Sequence, residues 1–421
     1  MIGLSLHAKI GYPDIMSDLM KDLILREVAT LLKDAIGLRH QFHQIPERSF
    51  EEVLTSKLIA QELRKAGIEV KENLAQTGVT ATISGTRPGK VVALRADMDG
   101  LVLEDKTLKP YASKHPGLSH GCGHDGHIVC VLKAFLILLK LRDHLAGQVR
   151  VIFQPAEETG NGAQSMLEAG ALGNPLPASI FTLHSWPELK CGVVASKPGV
   201  ITSGNDLFTV TVKGKGGHGA RPRESISPIL SAGRIAQAVS DLTCSEGDGS
   251  LSCVVSVGVI RGGEQPNTIP DDALIKGTIR SPNEVVRQDL LEKFRATVLK
   301  ICSQERVDTV VDIQQYCPPV YNHPDLYHLF EKTADELLGP ERRIAFSTQS
   351  TGSEDFGFYT QKIPGLLIRL GMGNECAPLH TSGFDFCDAS LASGITLLVG
   401  LAMGATESDF KITQRVQDET L

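Results

Sequence analysis

The spacing of apolar and polar positions divides the first half of the chain into helices and buried strands. Apolar side chains recur at helical spacing over residues 17–44 and 50–66, and Gly67 is placed to stop the second helix. Short apolar runs predict strands on either side of an apolar helix at 127–141, with a turn at Gly85–Lys90: Val79–Ser84, Val91–Arg95, Gln148–Gln154 and Ser179–Leu183. Strands alternating with helices predict an α/β fold with a mostly parallel central sheet covered on both faces.

The pattern changes near residue 200, where strands of alternating polarity begin. Asp206–Lys213 leads into a glycine cluster, and the elements that follow are a helix, two strands, a helix and a strand, at about 225–241, 253–260, 273–280, 283–303 and 309–315. This is the order of a ferredoxin-like α+β sandwich. The sequence therefore predicts a larger domain in two parts, 1–202 and 316–421, with a smaller domain inserted between them at 203–315.

The composition and net charge argue against a nucleic-acid-binding or membrane protein. The 421 residues are 42% hydrophobic, which is enough to bury the cores of two or three domains. The net charge of -7 and the lack of a Lys/Arg run argue against a nucleic-acid-binding face. The longest apolar stretch, Ile128–Leu141, contains two lysines and is too short to span a bilayer, so no membrane association is expected.

The cysteines and the amino terminus bear on the cellular compartment. Nine cysteines, an odd number scattered along the chain, do not resemble a disulfide framework. No basic segment followed by an apolar one opens the chain, and Asp14 and Asp18 interrupt residues 1–20, so a leader peptide is not expected. A reducing, cytoplasmic location is therefore predicted.

Histidines, a cysteine and glycines are concentrated in the segment HGCGHDGH, residues 120–127. Imidazole and thiolate ligate zinc and other divalent metals, and the glycines leave room beside them. The apolar helix that follows would place this segment at a helix N terminus, whose dipole favours ionisation of Cys122. A glycine-rich surface turn is the alternative, although three histidines and one cysteine within eight residues favour a metal site.

Pairs of carboxylates follow two of the predicted strands, at the strand ends where open α/β sheets bind ligands. Glu157 and Glu158 would point opposite ways in an extended segment, so one could hold a metal while the other acts as a general base. Asp97 and Asp99 would share a face and could bind a metal or orient a metal-bound histidine. Each pair alone is equally typical of a solvated acidic turn.

Isolated polar residues supply further candidates. His184 follows a predicted strand and His380 lies in the segment APLHT; each alone is more often structural, but a site with several ligands needs distant contributors. In the inserted segment, His218, Asn267 and Arg280 could bind a carboxylate or a developing oxyanion, although turns and a surface charge explain them equally well.

Two other catalytic classes lack their signatures. Gly214–Gly219 is glycine-rich but lacks the Gly-Lys-Ser/Thr ending of a phosphate-binding loop. The sequence has no GxSxG elbow, and Ser353 lacks the context of one, which disfavours a serine hydrolase.

Together the motifs resemble the amidohydrolase branch of the aminoacylase and carboxypeptidase dinuclear metallopeptidases. That branch contains N-acyl amino acid amidohydrolases, hippurate hydrolases and hydrolases of indole-acetyl amino acid conjugates. The matching segments occur in the family's order: RHQFHQIPERSFEE, LRADMDGL, HGCGHDGH, VIFQPAEE, TLHSWPEL, GKGGHGARP, QPNTIPD, GSEDFGFY and APLHTSGFDF. The resemblance implies an αβα catalytic domain with a ferredoxin-like lid, which agrees with the pattern above.

The resemblance also implies a metal centre. It implies two divalent ions, most often manganese, with zinc, cobalt or nickel as alternatives, and the ligands Cys122, His124, Glu158, His184 and His380. Asp97 stands where relatives with an HxD motif have a histidine ligand, and Cys122 looks like the substitute ligand of this branch.

Other roles follow from the same resemblance. Glu157 matches the general base, and Asp99 matches the aspartate that orients a metal ligand. His218 resembles a lid residue that helps bind the substrate, sometimes from a partner subunit, while Asn267 and Arg280 match positions that hold the substrate carboxylate. The segments GGHGARPRE and HTSG depart from the commoner family patterns, which bears on acyl and side-chain preference rather than on the reaction.

The expected activity is hydrolysis of the amide bond of N-acyl amino acids by a metal-activated water, with Glu157 as general base. Small N-acyl amino acids or peptide-like molecules are the expected substrates, and a homodimer through the lid domain is expected. A dipeptidase or carboxypeptidase of the same fold is one alternative, which would need a site for a free amine. A metal- or peptide-binding module is another, but binding alone would not require Glu157 beside Glu158.

Overall fold

The computed structural model describes residues 16–245, 251–346 and 349–413, so Asp14, used above against a leader peptide, lies outside the described residues. The helices are α1 (Asp18–His43), α2 (Val53–Lys65), α3 (His124–Lys140), α4 (Gly162–Glu168), α5 (Pro228–Ser240), α6 (Glu284–Glu305), α7 (Pro324–Leu337), α8 (Gly357–Thr360) and α9 (Ser390–Thr406). The strands are β1 (Val70–Leu74), β2 (Gly78–Ser84), β3 (Arg87–Asp97), β4 (Ala146–Gln154), β5 (Ser179–Trp186), β6 (Val194–Ser196), β7 (Gly199–Thr202), β8 (Gly204–Lys213), β9 (Gly217–His218), β10 (Cys244–Ser245), β11 (Leu251–Arg261), β12 (Thr268–Ile269), β13 (Asp272–Ser281), β14 (Asp308–Cys317), β15 (Val320–Asn322), β16 (Arg343–Ala345) and β17 (Gly365–Gly371).

The larger sheet has ten strands and a parallel centre. Its main path is β1-β2-β4-β3-β5-β17-β15-β7, and β6, which also pairs with β17, carries β16 beside it. The strands β4, β3, β5, β17 and β15 run parallel, whereas β1, β2 and β7 pair antiparallel at the two ends. The predicted α/β fold with a mostly parallel sheet is confirmed.

Helices cover both faces of this sheet because successive side chains of a strand point to opposite faces. Val92 and Leu94 of β3 pack in a cluster with α1, α3, α7 and α9, whereas Ala93 packs with residues of α4 and α8. The helices α3 and α9 are apolar on nearly all sides because both are buried between the sheet and other helices. Within the part of the chain that the structure describes, no helix has the length and hydropathy needed to cross a membrane.

The second sheet is antiparallel and lies within residues 204–317. Its order is β10-β11-β13-β8-β14, and β8-α5-β11-β13-α6-β14 has the element order and strand order of a ferredoxin-like sandwich. Both helices pack on one face of this sheet around Phe208 and Phe294. The domain limits at 202/203 and 315/316 stay a prediction, with which these sheet limits agree.

Several local features differ from the sequence-based expectations. The predicted turn at Gly85–Lys90 is shorter, because β3 already begins at Arg87, and α3 begins at His124, three residues before the predicted helix. Cys244 and Cys253 form a disulfide between the paired strands β10 and β11. Disulfides are rare in reducing compartments, so this one does not support the cytoplasmic location, which stays a prediction.

Candidate metal centre

The candidate site lies where the parallel strands of the larger sheet end. Asp97 ends β3, His184 lies near the end of β5, and His124 is the first residue of α3. Glu157 and Glu158 follow β4. The carboxyl ends of parallel strands meet at one edge of a sheet, so residues far apart in sequence are brought together there.

The five predicted metal ligands converge at this edge. The Sγ of Cys122 lies 3.5 Å from Nε2 of His184, and Oε1 of Glu158 lies 3.4 Å from Nε2 of His380 and 3.9 Å from Nε2 of His124. Their ligand atoms form two groups, each within 4.8 Å: one of Cys122, His124 and His184, and one of Cys122, Glu158 and His380. Cys122 therefore belongs to both groups.

Two of these ligand atoms fit a bound cation. The Nε2 of His124 and Oε1 of Glu158 are buried and have no hydrogen-bond partner among the described residues. A buried polar atom without a partner costs about 1–3 kcal/mol, and a metal ion between such atoms would satisfy them. Thiol, imidazole and carboxylate together suit zinc and other first-row divalent metals.

Asp99 fixes the geometry of both the histidine and the carboxylates. Its main-chain carbonyl accepts a hydrogen bond from Nδ1 of His124 at 2.9 Å, which leaves Nε2 of that ring facing the other ligands. Its carboxylate accepts hydrogen bonds from the backbone N–H groups of Glu157 and Glu158, both at 3.1 Å, and from the hydroxyl of Ser49 at 2.7 Å. Asp99 is thus a positioning residue for the whole cluster.

The segment before Glu157 is a turn, not the extended chain expected from the sequence. Ala156 has a φ of 57°, in the left-handed region, and its N–H donates to Oε1 of the buried Glu52 at 2.9 Å. Because of this turn, Glu157 and Glu158 both face the same cavity instead of pointing opposite ways. Glu52 has no role in the sequence-based prediction, although it lies in the matching segment ERSFEE.

Burial and neighbouring carboxylates dominate the electrostatics of this site. Burial raises the pKa of Glu157 well above its usual range, and the nearby Glu354 and Glu158 raise it further. Burial also raises the pKa of the Cys122 thiol, and Glu158 and Glu157 add to this effect. These effects oppose the expected ionisation of Cys122 by the helix N terminus, which stays a prediction.

A buried ionic cluster behind Glu157 escaped the sequence-based reasoning. The guanidinium of Arg95 donates to Asp97 and Asp355 at 2.8 Å each and lies 3.1 Å from Oε1 of Glu354. Glu354 also lines the cavity. The motif GSEDFGFY contributes to the family resemblance, and its adjacent carboxylates were the available signal for a role at the site.

Of the histidines of HGCGHDGH, His124 alone is in the two groups formed by the predicted ligands, although Asp97, His124 and His127 also lie close enough together to hold an ion. His127 has both ring nitrogens occupied, since Nδ1 lies 2.7 Å from Oδ1 of Asp97 and Nε2 accepts the N–H of Ser185 at 2.8 Å. Asp97 is in turn held by Arg95, so it braces His127. His120 is buried and belongs to none of the ligand groups among the described residues.

A cavity of about 600 Å³ opens in front of the ligands. Arg280 of β13 lines it and donates to the carbonyl of Thr351 at 2.8 Å. His218 and Asn267 do not line it: both are exposed, on the paired strands β9 and β12 and the turn beside them, where Gly219 N–H donates to the carbonyl of Asn267 at 2.8 Å. The structure therefore brings Arg280 to the candidate site and leaves His218 and Asn267 away from it.

Comparisons with known proteins agree with this geometry. The model of the peptidase family M20/M25/M40 matches residues 93–404. The chain belongs to this family. It is 37% identical to thermostable carboxypeptidase 1 of Saccharolobus solfataricus, with 88% of this chain and 94% of that protein covered, and 36% identical to N-acetyl-L-cysteine deacetylase of Bacillus subtilis, with 83% and 82% covered.

Comparison with a solved structure shows that the similarity extends to the fold of the chain. It is that of the YXEP protein of Bacillus subtilis, described as a dinuclear metal binding peptidase from the M20 family. It is 32% identical, superposes with a TM-score of 0.79 and covers 89% of this chain and 98% of its own. Family membership confirms the predicted enzyme class, a metal-dependent amidohydrolase, and supports a site for divalent metals.

Proposed function

We propose that this M20 family member hydrolyses the amide bond of N-acyl amino acids at a two-metal centre, with Glu157 as general base. The observation that carries the proposal is the convergence of Cys122, His124, Glu158, His184 and His380 beside Glu157, at a cavity that all of these except His124 line. Metal binding alone would not need a second, buried carboxylate with a raised pKa next to the ligands.

The metal centre would be built from the two ligand groups. Cys122, His124, Glu158, His184 and His380 would hold two divalent cations, with manganese as the expected ion and zinc, cobalt or nickel as alternatives, and Cys122 belongs to both groups. When bound, such ions polarise an amide carbonyl and lower the pKa of water. Asp99 orients His124 and the Glu157–Glu158 turn through its hydrogen bonds.

Glu157 would carry the proton during the reaction. It would accept the proton of the attacking water and deliver it to the nitrogen of the leaving amino acid. Its Oε2 lies 4.0 Å from Nε2 of His124, beside the ligands. Its raised pKa supports both steps, because a carboxylate with a higher affinity for a proton is the stronger base.

Residues of the smaller sheet would bind the substrate. Arg280, already in the cavity, would bind the α-carboxylate, and Asn267 would assist it. His218 would donate to the oxyanion, either after closure of the 203–315 segment or from the partner subunit of a dimer. Glu354 is held by Arg95, so it is not a free carboxylate for a substrate amine, which favours acylated substrates over dipeptides.

A substrate panel tests the proposal. Purified, manganese-loaded protein is assayed on N-acetyl, N-benzoyl and indole-acetyl amino acids, dipeptides and carboxypeptidase substrates with release of the free amino acid as readout. We expect turnover of the N-acyl amino acids. Faster turnover of dipeptides or longer peptides would replace the proposal by a peptidase, and no turnover of any compound would favour a binding module.

A further inference from the structure

Arg369 is a cation on the wall of the same cavity, and the proposed mechanism does not use it. It lies on β17, directly opposite His184 on the parallel strand β5. Leu367 and Trp186, two residues away on the same two strands, line the cavity together with Arg369 and His184. Because alternate residues of a strand share a face, all four side chains point to the cavity side of the sheet.

The guanidinium of Arg369 lies between two aromatic rings and lacks a polar partner. Its Cζ is 3.8 Å from the ring centres of both Trp186 and Phe346. Its Nε, Nη1 and Nη2 are buried and have no hydrogen-bond partner in the part of the chain that the structure describes. Burial lowers the pKa of Arg369 to about 10, so the group still carries its charge at neutral pH.

The other fully buried arginines show how this chain normally treats such a charge. Arg95 is surrounded by Asp97, Glu354 and Asp355. Arg39 is surrounded by Asp125, Asp385 and Asp388. An unpaired buried charge costs several kcal/mol, so the protein pairs these two arginines with its own carboxylates. Among the described residues no carboxylate forms an ion pair with Arg369, and the exposed Glu188 acts on it only from a longer distance, although Arg369 stands at the substrate cavity.

The stacked rings also restrict what can bind to Arg369. They pack against the guanidinium, whose N–H groups form a planar fork that matches a carboxylate. A neutral ligand would not compensate the charge. Each of these nitrogens exposes less than 1 Å², so binding of a ligand to Arg369 requires a covering side chain to move.

We propose that Arg369 binds a second carboxylate of the substrate, so the preferred substrates are N-acyl amino acids with a carboxylate beyond the α-carboxylate. This inference rests on the proposed function, in which Arg280 of the other sheet binds the α-carboxylate. Paired strands lie about 4.8 Å apart, so Arg369 is close to His184 and the second carboxylate is only a few bonds from the amide. It belongs either to an acidic amino acid or to a short dicarboxylic acyl group.

Matched substrate pairs test the inference and show whether the second carboxylate belongs to the amino acid or to the acyl group. The pairs are N-acetylglutamate with N-acetylglutamine, and N-succinyl-leucine with its succinamide analogue, each compared by kcat/KM. We expect the wild-type enzyme to prefer the dicarboxylate of one pair by roughly tenfold or more, the scale of a charge-assisted hydrogen bond. Arg369→Gln should bring that ratio close to one, whereas Arg26→Gln, at an exposed arginine, should keep it.

Binding is measured separately from turnover through Trp186, the one tryptophan in the sequence and a direct neighbour of Arg369. Titration with glutarate should give a saturable change in tryptophan fluorescence, and butyrate, with one carboxylate, should bind at least tenfold more weakly. Arg369→Gln should remove this difference. Because wild-type protein alone gives the first result, the test stands even if the variant fails to fold.

The outcomes distinguish this inference from the proposed function. Equal preference in wild type and Arg369→Gln, or equal binding of glutarate and butyrate, overturns the role of Arg369 while amide hydrolysis stands. If glutarate binds more strongly than butyrate because of Arg369, but no compound of the panel is hydrolysed, the proposed function is overturned and Arg369 remains a carboxylate-binding residue.

Discussion

The two sides of the cavity are built differently. On the side of the ten-stranded sheet, His124 and Asp99 are buried and fixed by hydrogen bonds. On the side of the five-stranded sheet, His218 and Asn267 are exposed and stand away from the cavity, and of the three predicted substrate-binding residues Arg280 alone lines it. The predicted metal ligands thus lie within reach of one another, whereas the proposed roles of His218 and Asn267 need their side of the cavity to approach the ligands.

The difference follows from the chemistry that each side serves. Ligands of a metal must be held within a few tenths of an ångström. Here they come from strand ends, a helix start and two turns, and Asp99, Arg95 and Glu52 brace part of this set. Groups that recognise a substrate must also let it enter. Four predictions, in order of decreasing expected effect, test this contrast.

Removal of the metal should have the largest effect. Exhaustive chelation should reduce activity to background, and Mn²⁺, Co²⁺ or Zn²⁺ should restore it. Cys122→Ala should lower the bound metal per chain, measured by elemental analysis, because Cys122 belongs to both ligand groups. Cys130→Ala, at a buried cysteine of α3 outside those groups, should keep full metal content. Activity that persists with metal content near zero would exclude the two-metal mechanism.

Loss of the general base should come next. Glu157→Gln should lower kcat by about 10²–10⁴-fold and retain metal and substrate binding, because only the proton acceptor is removed. Glu69→Gln, at an exposed position, serves as the control with unchanged kcat. High residual kcat with full metal occupancy would show that another group abstracts the proton.

Substitutions at His218 and Arg280 should distinguish the approach of the five-stranded side to the metal ligands from recognition of the substrate carboxylate. His218→Ala should cut kcat/KM by about 10²–10³-fold at unchanged metal content, as when an oxyanion donor is lost. Arg280→Ala should raise KM roughly tenfold for free acids and less for their carboxamides. Arg223 is exposed in the segment between β9 and α5, so Arg223→Ala should have the kcat and KM of the wild-type enzyme. If Arg280→Ala raised KM equally for free acids and for their carboxamides, Arg280 would not bind the α-carboxylate. Full activity of His218→Ala would show that His218 takes no part in the reaction.

The smallest effect is expected from Glu52, which touches no predicted ligand. Its carboxylate accepts hydrogen bonds from Ala156 N–H at 2.9 Å and from the Thr77 hydroxyl at 2.5 Å. Glu52→Gln should cost about 1–3 kcal/mol of unfolding free energy and lower kcat severalfold through the Glu157 turn. Denaturant unfolding and steady-state kinetics measure both, with exposed Glu51→Gln as control. A stability loss without any change in kcat would make Glu52 purely structural.

Local patterns in the sequence were sufficient for most secondary structure. The periodicity over 17–44 predicts α1, and the apolar runs at 148–154 and 179–183 predict β4 and β5, because burial on both faces leaves an uninterrupted apolar signature. Short strands such as β6 and β16, of three residues each, were missed because so few residues show no period.

The sequence by itself determined which residue types are available at the strand ends, and through the family motifs it named Cys122, Glu157 and Glu158 as candidates. It did not determine their directions, since the left-handed turn at Ala156 depends on Glu52 and Asp99 from distant segments. Nor did it identify Arg369, which in sequence is a single charge within an apolar strand. Its stacking between Trp186 and Phe346, without a carboxylate partner among the described residues, exists only in the folded chain, because three separate segments meet there.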